Sequence, residues 1–345
     1  MGEITTLYKM LNLKKPYLIA EIGSSHMGNM SLAFKAIEEA KKGGADCVKF
    51  QLFKESTIVH PKLKTLSYIK HNNYKYQSQR FAKMKISLDK LKKLYVFAKK
   101  KKIDFCVTPF DPYFVKKISK YIKFFKVASG DLNYYPLLKE IKKTKKITLI
   151  STGMSHYSDI KDSIKNLNKK KVVILHCVSS YPTKFKDINL SNISELRNKF
   201  KLPVGFSDHT TGIEATVASV FFGAKIIEKH FIPSRGAKLS ADYPLSINFK
   251  QMQILRRKID EAFIMIGKKK DDILKCEKYG EKNLKRSIYS LKTIKKGEKL
   301  NNKNIICLRP YVKKGIKVEN YYQVLNKKAK RRISKLALIK KNDLK

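Results

Sequence analysis

The stretch VGFSDHTTGIEATVASVFFGAKIIEKH, Val204 to His230, decides the fold. It opens on a short apolar run, Val204 to Ser207, crosses an amphipathic segment from Gly212 to Phe222, and ends on a second apolar run, Lys225 to His230. Two strands with a helix between them read as a parallel βα unit, because parallel strands need a crossover and are covered on both faces. Each strand ends in polar side chains: Ser207 with His209, and Glu228 with His230.

The same unit recurs toward the N-terminus. Strands are predicted at Tyr17 to Ile22, Cys47 to Leu52, Phe105 to Pro109, Phe124 to Ala128, Ile147 to Ser151 and Val172 to Cys177, with amphipathic stretches such as Ser31 to Lys42, Leu88 to Lys100 and Ser158 to Leu167 between them. Eight units in about 230 residues suit a (β/α)8 TIM barrel, with an open doubly wound sheet as the alternative. The polar residues separate the two. Glu21, Lys49 with Gln51, Thr108, Lys126 with Ser129, Ser151, and Ser179 with Tyr181 fall at or just past the C-terminal ends of the other six strands. A closed barrel brings those ends to one mouth, where barrel active sites are built, whereas an open sheet would scatter them.

After His230 the alternation stops. Asn248 to Ile266 is one long helical pattern, and Gly267 to Asn283 is a charged connector poor in apolar residues. Arg286 to Lys345 is strand-rich, with runs at Ser287 to Leu291, Asn304 to Leu308 and Ala337 to Ile339 and a turn at Lys295 to Glu298. The domain reading is therefore a barrel over 1–267, a linker over 268–283 and a small β-rich domain over 284–345. A module of about 60 residues barely supports its own core, so it is expected to dock on something.

Composition narrows the function. The chain has 345 residues, 43% hydrophobic and 10% aromatic, enough to fill an interior and to exclude wholesale disorder. Its 76 Lys and Arg against 28 Asp and Glu give +48, but the lysines are spread over almost every helix and turn, as at Lys99 to Lys102, Lys169 to Lys171 and Lys268 to Lys270. No zinc-finger, RRM-like or helix-turn-helix pattern accompanies them, so the charge reads as a biased surface rather than a nucleic-acid site. Five cysteines with no C-x-x-C pair make neither a disulfide framework nor a zinc knuckle, and Cys47, Cys106 and Cys177 read as small buried hydrophobes in a reducing compartment. No run approaches the ~18 apolar residues of a membrane span, and a signal-peptide core is lacking, so a soluble, cytoplasmic protein is expected.

The strand-end residues suggest chemistry. Lys49 and Lys126 lie inside the barrel pattern, where a cation needs an anion, and Ser129, Ser151 and Ser207 add donors, with Gly130 and Gly153 allowing close backbone approach. The set reads as a cationic cup for a small, multiply charged anion. Each serine taken singly also reads as an ordinary turn hydrogen bond. His209 and His230 end consecutive strands, and two readings stand: a divalent-cation pair with open positions, or structural and acid–base histidines. Glu21 is either a proton acceptor or hydroxyl ligand, or the salt-bridge partner of a lysine.

These residues lie in motifs that resemble the sialic acid synthase family, the bacterial N-acetylneuraminate and legionaminate synthases. They are Ile19-Ala20-Glu21-Ile22-Gly23, Gly44 to Gln51, Thr108-Pro109-Phe110-Asp111, Lys126-Val127-Ala128-Ser129-Gly130-Asp131, Ser151-Thr152-Gly153-Met154, Leu175 to Thr183, Gly205 to Thr210 and Ile227 to Phe231. The C-terminal segment, with Arg286-Ser287, Ile294 to Gly297 and Arg309-Pro310, resembles that family's antifreeze-like or SAF domain. The resemblance implies condensation of phosphoenolpyruvate with an N-acetylated hexosamine, N-acetylmannosamine or a diacetylated relative, to a nine-carbon acid and phosphate. It implies Lys49, Lys126, Ser129, Ser151 and Ser207 on the phosphoenolpyruvate. It also implies Mn²⁺ or Mg²⁺ on His209 and His230, and Glu21, Gln51, Tyr181 and Asp242 on the sugar side, with Thr108 and Ser179 completing the substrate pocket. A domain-swapped homodimer would bring Arg309 to the other subunit's sugar.

Several positions depart from the family pattern: Ser25-His26-Met27-Gly28 after the first strand, Ser179, Lys238 to Asp242 after the eighth, and Tyr311 after Arg309-Pro310. No counterpart of the family's sugar-binding Asn stands out between Ser67 and Phe81. All lie on the sugar side, which leaves a catalytically weakened binding or scaffolding homologue as the alternative.

Overall fold

The eight runs close on themselves. In the computed structural model, which describes residues 15–66, 74–233, 240–267 and 272–345, the strands are β1 (Tyr17–Gly23), β2 (Cys47–Leu52), β3 (Asp104–Pro109), β4 (Phe125–Val127), β5 (Thr148–Ser151), β6 (Val172–Cys177), β7 (Val204–Asp208) and β8 (Ile226–His230). Each pairs in parallel with the next, and β1 pairs with β8, making a closed barrel. The expected fourth strand is shorter than its apolar run, because Ser129–Asp131 tightens into a 3-10 turn.

Both faces of each strand are buried, which is why the runs read as near-continuous apolar sequence. One set of side chains, including Ile19, Cys47, Cys106, Phe124, Leu149, Leu175 and Ile226, forms a cluster of its own. The alternate set, including Leu18, Val48, Phe50, Val107, Phe125, Ile150, Phe206 and Ile227, packs with helix residues such as Ile37, Leu94, Leu138 and Leu255. The helices start where capping side chains allow: Asn29 accepts from Ser31 and Leu32 N–H ahead of Met30–Lys42, Ser87 from Lys90 N–H ahead of Leu88–Lys100, and Asn248 from Gln251 N–H ahead of Phe249–Ile266. Cys47, Cys106 and Cys177 are buried and unbridged.

The chain divides into two compact units, Met1–Gly267 and Lys268–Lys345. In the second, β9 (Ser287–Ser290) and β10 (Ile305–Leu308) pair antiparallel over a core of Ile288, Ile294, Leu300, Ile316 and Ile339. The expected third strand, Ala337 to Ile339, contributes a single bridge, Tyr289 to Leu338. Part of the connector is helical, at Lys278–Leu284. Among the described residues, no helix is long and apolar enough to cross a membrane.

Candidate active site

Strand alternation carries charge into the barrel mouth. Two residues beyond the apolar layer, Glu21, Lys49, Lys126 and Glu228 are all buried and meet one another. Lys49 Nζ lies 3.0 Å from Glu21 Oε2 and 3.5 Å from Glu228 Oε2, and Lys126 Nζ lies 3.5 Å from Glu228 Oε1. Ser207 Oγ donates to Glu228 (2.9 Å), Gln51 Nε2 donates to Glu21 (2.9 Å), and Lys49 donates to Thr108 Oγ1 (3.2 Å). The lysines therefore do not form an unopposed cationic cup: a bare ammonium at this depth would be too costly, and two carboxylates already face them. The Lys49 contact gives Glu21 the salt-bridge partner of one reading, and the proton-acceptor reading stands beside it.

The two carboxyls are pushed apart. Burial raises Glu21, with Lys49 working against the rise and Glu228 adding to it. Burial also opposes the charge on Glu228, but Lys126 and then Lys49 outweigh it and hold Glu228 at about 2. Burial lowers Lys126, with Glu228 resisting. Glu21 is thus the carboxyl able to hold a proton, and Glu228 the fixed anion.

Above this layer the imidazoles of His209 and His230 have ring centroids 5.3 Å apart, with the Tyr181 ring 4.3 Å from that of His209. His209 Nδ1 donates to the Val178 carbonyl (2.8 Å), so in the neutral ring the lone pair sits on Nε2. Burial works against its charge, but Cys177 and the Val178 carbonyl outweigh it and raise His209 to about 8, so a cation there would have to displace a proton. Cys177 Sγ lies 3.7 Å from the same Nδ1. His230 Nδ1 is buried without a hydrogen bond, 3.8 Å from Asp242 Oδ2, which accepts from Ser24 Oγ at 2.9 Å. Burial holds His230 down at about 4, so it is neutral near pH 7. A divalent cation fits this donor set: a carbonyl fixes the tautomer of one imidazole, and a nitrogen of the other is unpartnered. No group of three His, Cys, Asp or Glu ligands exists among the described residues. The chain would supply two nitrogens and leave the remaining positions to substrate and water.

Hydroxyls complete the wall. Ser129 Oγ accepts from Gly153 N–H (3.1 Å), and the oxygens of Ser151 and Ser179 are buried with no hydrogen-bond partner. A Cβ on Gly153 would stand 2.2 Å from Ser179 Oγ and 3.0 Å from Ser129 Oγ, so a larger residue there would fill this cradle. Glu21, Lys49, Gln51, Lys126, Ser129, Ser151, Tyr181, Ser207, His209, His230 and Asp242 line one cavity of about 230 Å³, room for a small molecule. Thr108 accepts from Lys49 and Ser179 stands beside Gly153, both off the cavity wall itself, and Arg309 is exposed in the second unit.

Among the charged and hydroxyl-bearing wall residues, Ser24 and Arg80 were not singled out in the sequence, and Glu228, placed at the mouth beside His230, was given no role there. Glu228 shares the parity of His230, a signal present in the sequence. Arg80 sits on the helix Gln77–Met84, in the excursion after β2, where no periodicity ties it to the mouth. His26 lies outside the cavity, its Nδ1 accepting from Gly28 N–H at 2.9 Å. Positions 67–73 and 234–239, which include part of the stretch searched for the sugar-side Asn and Lys238-Leu239, lie outside the described residues.

A closed parallel barrel with a charged, hydroxyl-lined mouth and a small β-rich C-terminal unit defines a two-part barrel protein of the enzyme type. The chain belongs to the NeuB family, which it matches over residues 36–271, and it carries an SAF domain over residues 285–345. It is 35% identical to the N,N'-diacetyllegionaminic acid synthase of Campylobacter jejuni over 95% of this chain and 100% of that protein. It is 31% identical to a pseudaminic acid synthase of the same species, over 96% and 97% of the two chains. The crystal structure of an N-acetylneuraminic acid synthetase from Leptospira borgpetersenii in complex with citrate superimposes with a TM-score of 0.67 at 28% identity, covering 77% of this chain and 90% of that one.

Proposed function

We propose that the chain is a nonulosonic acid synthase. It would condense phosphoenolpyruvate with N-acetylmannosamine or a related N-acetylated hexosamine to a neuraminate- or legionaminate-type acid and phosphate. The observation that carries this reading is the paired layer of Glu21, Lys49, Glu228 and Lys126 lying in one cavity with two unpartnered serine oxygens and two adjacent imidazoles. The names of the relatives point the same way.

In this mechanism the methylene carbon of phosphoenolpyruvate gives its double-bond electron pair to the sugar's aldehyde carbon, and the carbonyl electron pair moves to oxygen, which takes a proton. Water then adds to the adjacent phosphate-bearing carbon, left electron-poor by that step, and loses its protons as phosphate leaves and the ketone forms. Lys49, Lys126, Ser129, Ser151 and Ser207 hold the phosphate and carboxylate, with the substrate competing against Glu228 for Lys126 and Ser207. Glu21, raised by burial, carries the proton for the developing alkoxide. Gln51, Tyr181 and Asp242 orient the sugar. Mn²⁺ or Mg²⁺ bound through His209 and His230 would supply Lewis acidity toward the aldehyde oxygen. A domain-swapped homodimer would place Arg309 of a second copy over the sugar, in a cytoplasmic enzyme.

The test is phosphate release from phosphoenolpyruvate with Mn²⁺ and a panel of N-acetylated hexosamines. Release with one of them is expected; silence with all would favour a scaffolding homologue. Arg309→Ala should raise KM for the sugar at unchanged Mn²⁺ affinity, and an unchanged KM would remove Arg309 from the site.

A further inference from the structure

Asp208 and Lys229 alternate with the residues of the mouth and so face away from it. They are register partners on β7 and β8, and each is 0% exposed. Lys229 Nζ donates to Asp208 Oδ2 at 2.9 Å and to the Thr210 carbonyl at 2.6 Å, while Asp208 Oδ1 accepts from Thr210 N–H at 2.7 Å. Thr216, on the helix Glu214–Phe221, donates its hydroxyl to Asp208 Oδ2. Both backbone polar groups of Thr210 are thereby captured. Thr210 directly follows His209, whose own carbonyl accepts from Thr183 N–H at 2.9 Å. The end of the neighbouring strand is tied down as well: the His230 carbonyl accepts from Ile247 N–H at 2.9 Å.

A fully buried ion pair is a poor source of stability, since two packed apolar side chains often serve as well. What the pair adds is direction. An apolar pair cannot hold the N–H and the carbonyl of one chosen residue. We propose that Asp208 and Lys229 are positioning residues, a latch behind the barrel wall that sets the His209 imidazole against that of His230. This rests on the reading of those two rings as cation ligands. Outer partners of metal-binding histidines are worth about 10–100-fold in metal affinity.

The test uses the full chain. Asp208→Leu combined with Lys229→Met removes the latch without leaving a lone buried charge. Mn²⁺ binding is followed by electron paramagnetic resonance without substrates, the histidine ring resonances by NMR without metal, and folding by thermal melting. A variant that melts close to the wild type is expected to bind Mn²⁺ about 10–100-fold more weakly. Its His209 ring signal should move while that of His176, hydrogen-bonded to the Ile188 carbonyl, stays. Lys229→Arg, which keeps the charge and its donors, should stay closer to the wild type than Lys229→Met. Unchanged Mn²⁺ affinity in a folded double variant would overturn the latch. Should the wild type bind no Mn²⁺, the cation reading falls and the His209 signal alone decides: displaced supports the latch, unmoved sinks it. If the apolar pair fails to fold, Asp208→Asn with Lys229→Gln is judged on the same readouts.

Discussion

Two neighbouring layers inside the barrel differ by two residues per strand. The lower holds Ile19, Cys47, Cys106, Phe124, Leu149, Leu175 and Ile226. The upper, one inward step along the same strands, holds Glu21, Lys49, Thr108, Lys126, Ser151, Cys177 and Glu228. Burial stabilises the first at roughly 25 cal/mol per Å² of apolar surface and works against the charged members of the second. The lower layer is thus explained by folding. The upper is not explained by apolar burial.

That contrast can be broken. Glu228→Ala strips two buried lysines of a shared anion and should cost about 3–5 kcal/mol of stability together with turnover. Urea unfolding and phosphate release measure both, and a variant as stable as wild type would mean the lysines do not depend on it. Leu149→Ala should cost about 2–5 kcal/mol while kcat and KM per folded molecule stay near wild type; a large catalytic defect would erase the distinction between the layers. Burial raises Asp131 to about 6, with Lys126 opposing the rise, and its Oδ2 is buried without a partner. The folded protein therefore holds that proton more tightly than the unfolded chain, and stability is lost as pH climbs from about 4 to 6. Asp131→Asn should recover about 1–2 kcal/mol above pH 6 and nothing below pH 4, read from melting curves at both. The smallest effect sharpens the comparison most. Lys126→Met with Glu228→Leu, which extends the lower layer upward, should leave stability near wild type while activity stays lost; a strong loss of stability would show that the charged layer also holds the barrel together.

The barrel was legible because its strands are buried on both faces and end in polar residues at a regular place. Cys47–Leu52 and Val172–Cys177 match the predicted runs to the residue. The inward residues of the mouth were legible from parity. Their pairing was not, since nothing local in the sequence says that Glu228 meets Lys126 across three intervening strands, or that Asp208 and Lys229 share a register behind the wall. Arg80 was hidden by an irregular excursion. Ala337 to Ile339 looked like a strand by composition and does hydrogen-bond to Ile288 and Ser290 of β9, but a run that short makes one bridge rather than a ladder.

One consequence of the paired layer concerns how a ligand arrives. Formal charges on the cavity wall balance, with Lys49, Arg80 and Lys126 against Glu21, Glu228 and Asp242, although the whole chain carries +48. Attraction and retention are then separate properties of separate surfaces. The exterior gathers anions from a distance that added salt shortens, and the interior trades its own internal partners for the guest. Ionic strength should accordingly throttle kcat/KM for an anionic substrate and spare kcat.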